Sequence, residues 1–184
     1  MTALLTDLLA QSESKLPVKL TGKHYDLKSD ATKEQAQEML DFMESVHAIY
    51  RTVFRDVPDR RMTILLFKER TEYLKLPGVG GASAACYDGK KLAGYWDETL
   101  SKPCFAHEAV HQFVHFTSTR MTAFPEWFHE GFADALADHE IVDGKMRLAT
   151  GRGTIARMRL PVIQEAVRNG SATPPGTSSD LPNR

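Results

Sequence analysis

The chain has 184 residues, of which 42% are hydrophobic and 26% are charged, values typical of one globular domain that buries a sizeable core. Its net charge of -1 gives no overall electrostatic bias, so the composition argues against nucleic-acid binding and against binding to an anionic membrane surface. Two cysteines, Cys86 and Cys104, are too few for a disulfide scaffold, and the sequence leaves open whether they pair.

The first ten residues carry four leucines at helical spacing, with no basic segment before them. Asp7 interrupts the apolar run, so the pattern favours a short amphipathic helix over a signal peptide. No run of about 18 apolar residues follows in the chain. We therefore expect a soluble protein without a membrane span, in a compartment that the sequence leaves open.

The next part of the chain predicts strands followed by one long helix. Residues 18–27 read as one or two short strands, because apolar and polar residues alternate. Thr32 and Gln35 stand at the spacing of a capping box, and an apolar stripe predicts a helix from there to about Phe54. His47 lies beside that stripe, and we expect it on the helix surface rather than at a metal.

A sheet core and a hairpin are predicted next. Residues 62–67 form a nearly continuous apolar run, as in a strand inside a sheet. Asp88-Gly89 lies between residues 83–87 and 91–96, which predicts a tight turn joining two antiparallel strands. One of these two strands is expected to form an edge of the sheet.

An H-E-x-x-H string from His107 to His111 is the first functional signal. Residues four apart on a helix share one face, so both rings can present a nitrogen to one point, as a tetrahedral zinc ion requires. Glu108 can then act as general base toward a water at the metal. His115 continues the series, but it lies one turn too far along for the same ion, and we expect it at the surface.

A second helix is predicted from Pro125 onward, where the chain reads P-E-W-F-H-E-G-F-A-D. Glu130 follows His111 after eighteen intervening residues, enough to finish one helix, turn and return alongside. Asp134 lies one turn beyond Glu130, where it can accept the remaining N–H of a ligand histidine. The helix is expected to pack on the core through its three aromatic residues, Trp127, Phe128 and Phe132.

The two signals together are more specific than either one alone. H-E-x-x-H arises by chance often enough to be only suggestive, and a glutamate within W-x-x-E-G-x-A at a workable distance lowers that chance by about tenfold or more. The structural alternative is a polar histidine face on a half-buried helix.

These motifs resemble the metal-binding helices of gluzincin zinc peptidases, especially the aminopeptidase branch. The wider chain, roughly residues 24–170, is similar to a bacterial peptidase MA-like family. The resemblance implies an α+β fold in which a small mixed sheet packs against zincin-type metal-site helices. A metzincin is a poor match, because Val114 and Thr117 stand where that family has glycine and histidine.

The resemblance also implies a function and a site. The function is zinc-dependent hydrolysis of peptide bonds in a peptide or protein substrate, by a metal-activated water with Glu108 as general base. One Zn²⁺ ion would be held by three side chains, those of His107, His111 and Glu130. In gluzincins the edge strand pairs with the extended substrate backbone, which implies substrate contacts from Ala84, Ala85 and Tyr87. A purely structural role for these three is an equal alternative.

One departure from the family leaves a second function open. Gluzincins usually stabilise the oxyanion with a tyrosine or histidine downstream of the glutamate ligand, but no tyrosine follows Tyr95 here. Either His139 or an arginine such as Arg157 stabilises the oxyanion instead, or the residue that does so lies outside this chain, or catalysis is weak or absent. The alternative is therefore a zinc-binding domain that binds a peptide or partner with little or no cleavage. Endopeptidase and exopeptidase activity both stay open, as does the oligomeric state.

The sequence signals for secondary structure become weaker toward the C-terminus. Residues 160–167 predict a last helix with Pro161 at its start. Five arginines fall within residues 147–168, and some can meet a substrate carboxylate, although a solvated face is the default. Residues 171–184 are rich in Pro, Gly, Ser and Thr and predict a disordered tail, so residues 1–170 are expected to form a single zincin-like catalytic domain.

Overall fold

The structure is a computed structural model that describes residues 13, 15–55, 57–117, 125–142, 145–148 and 153–171, with only the backbone for residues 140–142, 145–148 and 156. The predicted N-terminal helix, the turn after the H-E-x-x-H helix and nearly all of the predicted tail lie outside the described residues.

A five-stranded mixed sheet forms one layer of the described part of the chain. Its strands are β1 (Val18–Thr21), β2 (Tyr25–Ser29), β3 (Met62–Phe67), β4 (Ala85–Tyr87) and β5 (Lys91–Tyr95), in the order β1-β2-β3-β5-β4. The three inner strands are parallel, and β1 and β4 run antiparallel to their neighbours. β4 therefore forms one edge of the sheet.

The described helices are α1 (Lys33–Val53), α2 (Arg70–Tyr73), α3 (Ser101–Thr117), α4 (Glu126–Ala137) and α5 (Thr154–Arg168). An antiparallel hairpin of β6 (His139–Val142) and β7 (Lys145–Leu148) separates α4 from α5. Because α1 and α3 pack on the mixed sheet and on each other, the fold is α+β, as predicted. Among the described residues no helix is both long and apolar enough to cross a membrane.

Helix α1 begins with the predicted capping box. The Thr32 hydroxyl accepts a hydrogen bond from the Gln35 backbone N–H at 3.2 Å, and the Gln35 side chain accepts one from the Thr32 N–H at 3.1 Å. These bonds satisfy two backbone donors that a helix start leaves free. The apolar stripe of the helix is buried in the core, as predicted, through Ala36, Met39, Leu40, Met43, Val46 and Tyr50.

His47 lies on the buried face of α1 with 5% of its surface exposed, so the expected surface position is wrong. Its ring stacks on that of His24 with centroids 3.7 Å apart. Tyr25 and Phe113 meet it edge-on at 6.1 and 5.2 Å. Burial, and then the neighbouring His24, lower the pKa of His47 to about 4, so the neutral ring packs as an aromatic core residue.

The predicted turn at Asp88 and Gly89 joins β4 to β5. Gly89 has a φ of 89°, a left-handed conformation that glycine adopts without a Cβ clash. The Asp88 carboxylate accepts hydrogen bonds from the backbone N–H groups of Lys90 and Lys91 at 2.8 and 2.7 Å. Beyond β4 the described residues provide no further strand, and α3 packs beside it, so this edge lies next to the H-E-x-x-H helix.

Helix α5 starts earlier than predicted and runs through Pro161. The Asp138 carboxylate accepts a hydrogen bond from the Ile155 backbone N–H at 3.2 Å, which satisfies a donor in the first turn. Gly153 precedes that turn, and a Cβ there would clash with the Asp138 side chain. A contact from the end of α4 therefore sets the start of α5.

The aromatic residues of α4 are only partly in the core. Phe132 packs against it, and the Phe128 ring stacks on Phe132 with centroids 6.1 Å apart. Trp127 is 58% exposed, so the expectation that it packs the helix onto the core is wrong.

Candidate metal centre

Helices α3 and α4 pack together and bring three predicted ligands to one point. His107 and His111 lie one turn apart on α3, with their Nε2 atoms 3.1 Å apart. Each Nε2 lies 3.3 Å from a carboxylate oxygen of Glu130 on α4. One ligand atom from each side chain can be chosen so that all three lie within 4.8 Å of one another.

These separations fit a tetrahedral zinc ion. With bonds of ~2.0–2.2 Å, two ligand atoms of such an ion lie about 3.3–3.6 Å apart, close to the observed 3.1 and 3.3 Å. Two imidazoles and one carboxylate are also typical of catalytic zinc sites, in which a fourth position serves water or substrate. The side chains present therefore fit the metal in both chemistry and spacing.

Asp134 lies behind the His107 ring, one turn after Glu130. Its Oδ1 atom is 2.8 Å from His107 Nδ1, and both atoms are buried. The contact has the distance of a hydrogen bond but not its alignment, so it is an ion-pair contact. It occupies the Nδ1 side of the ring and leaves Nε2 facing Glu130, the arrangement that a metal-binding imidazole needs.

The electrostatics of these side chains favour positive charge at this point. Burial by itself would lower the pKa of His107, but Asp134 and Glu130 raise it to about 9. Contacts with His107 and His111 in turn hold the pKa of the Glu130 carboxyl well below its ordinary range. Both shifts have the sign expected where carboxylates surround a cation site.

Glu108 lies in the wall of a pocket that also contains His107 and Glu130. Burial raises the pKa of its carboxyl, although the two nearby histidines and a hydrogen bond with the Tyr87 backbone act in the opposite direction. A carboxylate of raised pKa exchanges protons more readily near neutral pH, so the environment suits a general base.

The pocket has a volume of about 280 Å³. The segment leading into β4 forms one wall, with Ala82, Ser83, Ala84 and Ala85. Helix α5 forms another, with Ile155, Met158 and Arg159. The candidate metal site therefore lies between the sheet edge and the last helix.

Two of the three residues expected to contact substrate lie in this pocket. Ala84 and Ala85 line it, whereas Tyr87 is not among the described lining residues. The Tyr87 hydroxyl instead lies 2.8 Å from Nδ1 of His115. His115 is exposed, as expected, and the structure places it in this contact rather than with the other two histidines of α3.

Arg159 is the pocket residue that sequence reasoning missed. Its Nη1 atom lies 2.8 Å from Asp134 Oδ2 and 3.6 Å from Glu130 Oε2. The only sequence signal was the group of arginines near the C-terminus, from which Arg157 was taken as the example. Arg157 is exposed and outside the described pocket lining. It precedes Arg159 by two positions, and side chains two positions apart on a helix point in directions that differ by about 200°.

His139, the other candidate oxyanion donor, is not among the described pocket residues either. Its Nδ1 atom lies 2.7 Å from the carbonyl oxygen of Leu136, and its ring packs edge-on against Tyr50 at 6.1 Å. The structure therefore brings neither of the two named oxyanion candidates into the pocket.

Both cysteines are free thiols. Cys104 lines the pocket, where burial, and then the nearby Glu108 carboxylate, raise its pKa to about 11. Among the described residues, the group of side chains whose ligand atoms lie within 4.8 Å of one another consists of His107, His111 and Glu130, without Cys104. Cys104 contributes to the pocket wall rather than to the set of metal-binding atoms.

A comparison with models of known protein families finds no match, and no curated protein sequence matches the chain. The resemblance of the two motifs to gluzincins therefore stays a prediction, and the geometry and chemistry of the site are what support metal binding here.

Proposed function

We propose that this protein is a zinc-dependent peptidase that hydrolyses peptide bonds. The observation that carries the proposal is the convergence of His107, His111 and Glu130 on one point, with Glu108 in the same pocket wall. Three protein ligands, a neighbouring carboxylate and an accessible pocket are the features that separate a catalytic zinc site from a structural one.

The zinc ion, when bound, lowers the pKa of a water molecule and polarises the carbonyl of the scissile bond. Asp134 orients His107 through the 2.8 Å contact between Oδ1 and Nδ1, which keeps Nε2 directed at the metal position. The Glu130 carboxylate lies between the two imidazoles and completes the set of protein ligands.

Glu108 moves the protons of the reaction. Its carboxylate takes a proton from the attacking water and donates it to the leaving amine. Burial raises the pKa of this carboxyl, which brings it closer to the pH at which both transfers occur. A site that only held zinc would need no proton acceptor in this position.

The sheet edge supports a peptide as the substrate. Ala84 and Ala85, at the start of the edge strand, line the pocket, and their small side chains leave room for a main chain to approach. An extended peptide can add to such an edge by backbone hydrogen bonds. This arrangement favours a peptide over a compact small molecule.

A second candidate function is a zinc-binding domain that binds a peptide or partner and cleaves it weakly or not at all. One observation favours it: the described pocket lining contains no tyrosine, and His107 is its only histidine. Loss of a single oxyanion donor typically lowers kcat by about 10²–10³-fold. The candidate therefore differs from the first in turnover and not in metal binding.

The substitution Glu108→Gln tests the peptidase proposal. It should retain zinc and lower the rate of peptide cleavage by about 10²–10⁴-fold, as measured by mass spectrometry on a peptide library. Glu126→Gln, the same change at an exposed position of α4, should keep the wild-type rate. Equal residual activity in the wild type and Glu108→Gln, with zinc retained in both, would leave the non-cleaving zinc domain as the function.

A further inference from the structure

Arg159 brings a guanidinium group into the wall of the pocket beside the candidate metal site. Two carboxylates hold one nitrogen of the group in place, because Nη1 lies 2.8 Å from Asp134 Oδ2 and 3.6 Å from Glu130 Oε2. The side chain is nevertheless 47% exposed. It is therefore both fixed in position and accessible from the pocket.

The other nitrogens of the Arg159 guanidinium group can donate further hydrogen bonds. Arginine carries five N–H donors in a planar fork. Among the described residues, the hydrogen bond and ion pairs of Arg159 involve only Nη1, which leaves Nε and Nη2 for another acceptor. A planar pair of N–H groups matches the two oxygens of a carboxylate better than it matches a single carbonyl oxygen.

The surroundings of Arg159 favour an anion from the substrate. Seven of the eleven described residues that line the pocket have small or apolar side chains, including Ala84, Ile155 and Met158, and the acidic ones are Glu108 and Glu130. Arg159 is the only arginine or lysine among the described residues that line the pocket. A neutral substrate would leave its free donors without a charged partner, whereas a carboxylate would form charge-assisted hydrogen bonds with them.

The size of the pocket limits where that carboxylate can be. A volume of about 280 Å³ lies just below the range of about 300–1,000 Å³ that is usual for ligand pockets. The same small space contains Glu108, Glu130 and Arg159. A group that contacts Arg159 must therefore lie close to the bond that Glu108 helps to cleave.

We infer that Arg159 determines specificity by binding a carboxylate of the substrate close to the scissile bond. This inference rests on the proposed peptidase function. The C-terminal carboxylate of a short product segment and the side chain of an aspartate or glutamate both present this group. The first source would make the protein an exopeptidase acting near a free C-terminus, and the second an endopeptidase that selects acidic residues.

Four versions of one cleavable peptide distinguish the sources. One pair differs in a free C-terminal carboxylate or a C-terminal amide, and the other in Glu or Gln next to the cleaved bond. Binding is measured on zinc-loaded Glu108→Gln protein, and cleavage on the zinc-loaded wild type. In one pair, the acidic peptide should bind and be cleaved about 10- to 100-fold better than its neutral counterpart, as expected for hydrogen bonds to a charged group.

Substitutions then assign the preference to Arg159. Arg159→Gln should bring the ratio within that pair close to one, and Arg159→Lys, which keeps the charge but not the planar fork, should lose most of it. Arg157→Gln makes the same change at an exposed position outside the described lining and should keep the wild-type ratio. Zinc content is measured for every variant, so that loss of metal is not mistaken for loss of specificity.

The outcomes separate this inference from the proposed function. Cleavage by the wild type without preference in either pair would overturn the inference and leave the peptidase intact. A preference that survives in Arg159→Gln would also overturn it. Binding that prefers the acidic peptide and depends on Arg159, together with no cleavage by the zinc-loaded wild type, would support the contact between Arg159 and a carboxylate but contradict the peptidase, and with it the position of that contact beside a scissile bond.

Discussion

Two pairs of histidines in this protein have opposite arrangements. His107 and His111 are inclined at 72° with Nε2 atoms 3.1 Å apart, so both rings direct a nitrogen at one point. His24 and His47 lie nearly parallel, at 13°, with ring centroids 3.7 Å apart. The two rings of the first pair are arranged so that both can bind one metal ion, whereas the two rings of the second pair pack face to face.

The carboxylates around each pair explain the difference. In the first pair, Glu130 contacts both rings and Asp134 contacts one. In the second pair, Glu44 accepts hydrogen bonds from the backbone N–H groups of His24 and Tyr25 and lies 2.7 Å from the His24 ring.

His47 has no such contact, and its buried Nδ1 has no hydrogen-bond partner among the described residues. The pKa of His107 is accordingly about 9, because Asp134 and Glu130 outweigh burial, whereas burial lowers the pKa of His47 to about 4. In this protein one carboxylate contacts both rings of the first pair, whereas in the second pair the Glu44 carboxylate contacts only the His24 ring.

Of the substitutions that test this difference between the two pairs, removal of the Glu130 carboxylate should have the largest effect. Glu130→Ala should weaken zinc binding by more than ~100-fold, beyond the loss typical for a residue that only orients a ligand. Glu44→Ala is the matched control, because it removes the carboxylate of the stacked pair and should leave zinc affinity unchanged. Competition with a chelating dye measures both, and equal affinities in the wild type and Glu130→Ala would remove Glu130 from the site.

His47, the buried histidine of the stacked pair, should make the free energy of unfolding depend on pH. His47 has a folded-state pKa of about 4 against an ordinary value of 6.5, so between these values the unfolded chain binds more protons than the native one. The free energy of unfolding should therefore fall as pH decreases from 6.5 to 4, with a contribution from His47 of about 3 kcal/mol.

Urea denaturation of zinc-free protein at a series of pH values measures this contribution. His47→Phe keeps an aromatic ring without a titrating group and should flatten the profile in that window. His115→Phe, at an exposed position, should keep the slope of the wild type. Identical profiles for His47→Phe and the wild type would show that burial does not hold the His47 ring neutral.

The smallest of the three effects is expected at Asp134. Asp134→Ala removes the contact behind His107 and should lower zinc affinity by about 10- to 100-fold. Asp134→Asn keeps an oxygen acceptor at that position and should lose less. Isothermal titration with zinc measures both variants, and an affinity unchanged by Asp134→Ala would show that the ring of His107 is oriented by other contacts.

The parts of the site that sequence reasoning predicted depend on local spacing. The four-residue interval between His107 and His111 becomes a shared face on any helix, and the capping pair Thr32 and Gln35 works through neighbouring backbone groups. Glu130 was recognised because its surrounding motif marks a second helix. These residues can be identified without knowledge of how distant segments pack, although Glu130 meets the two histidines only because α4 packs on α3.

The parts that were missed or wrong depend on long-range packing. Arg159 reaches the pocket because Asp138 and the buried Ile155 set where α5 begins, and helical periodicity carries no information about that contact. His47 is buried because its partners come from elsewhere in the chain, including Phe113 on α3. Its polar side chain therefore predicted a surface position that the fold does not provide.

Zinc K-edge absorption spectroscopy of the purified, zinc-loaded protein tests the central claim most directly. The account predicts one zinc ion per chain, with two imidazole nitrogens and at least one oxygen among its ligands, and loss of that signal in Glu130→Ala. Substoichiometric zinc in the wild type, or a sulfur ligand such as the Cys104 thiolate, would contradict it.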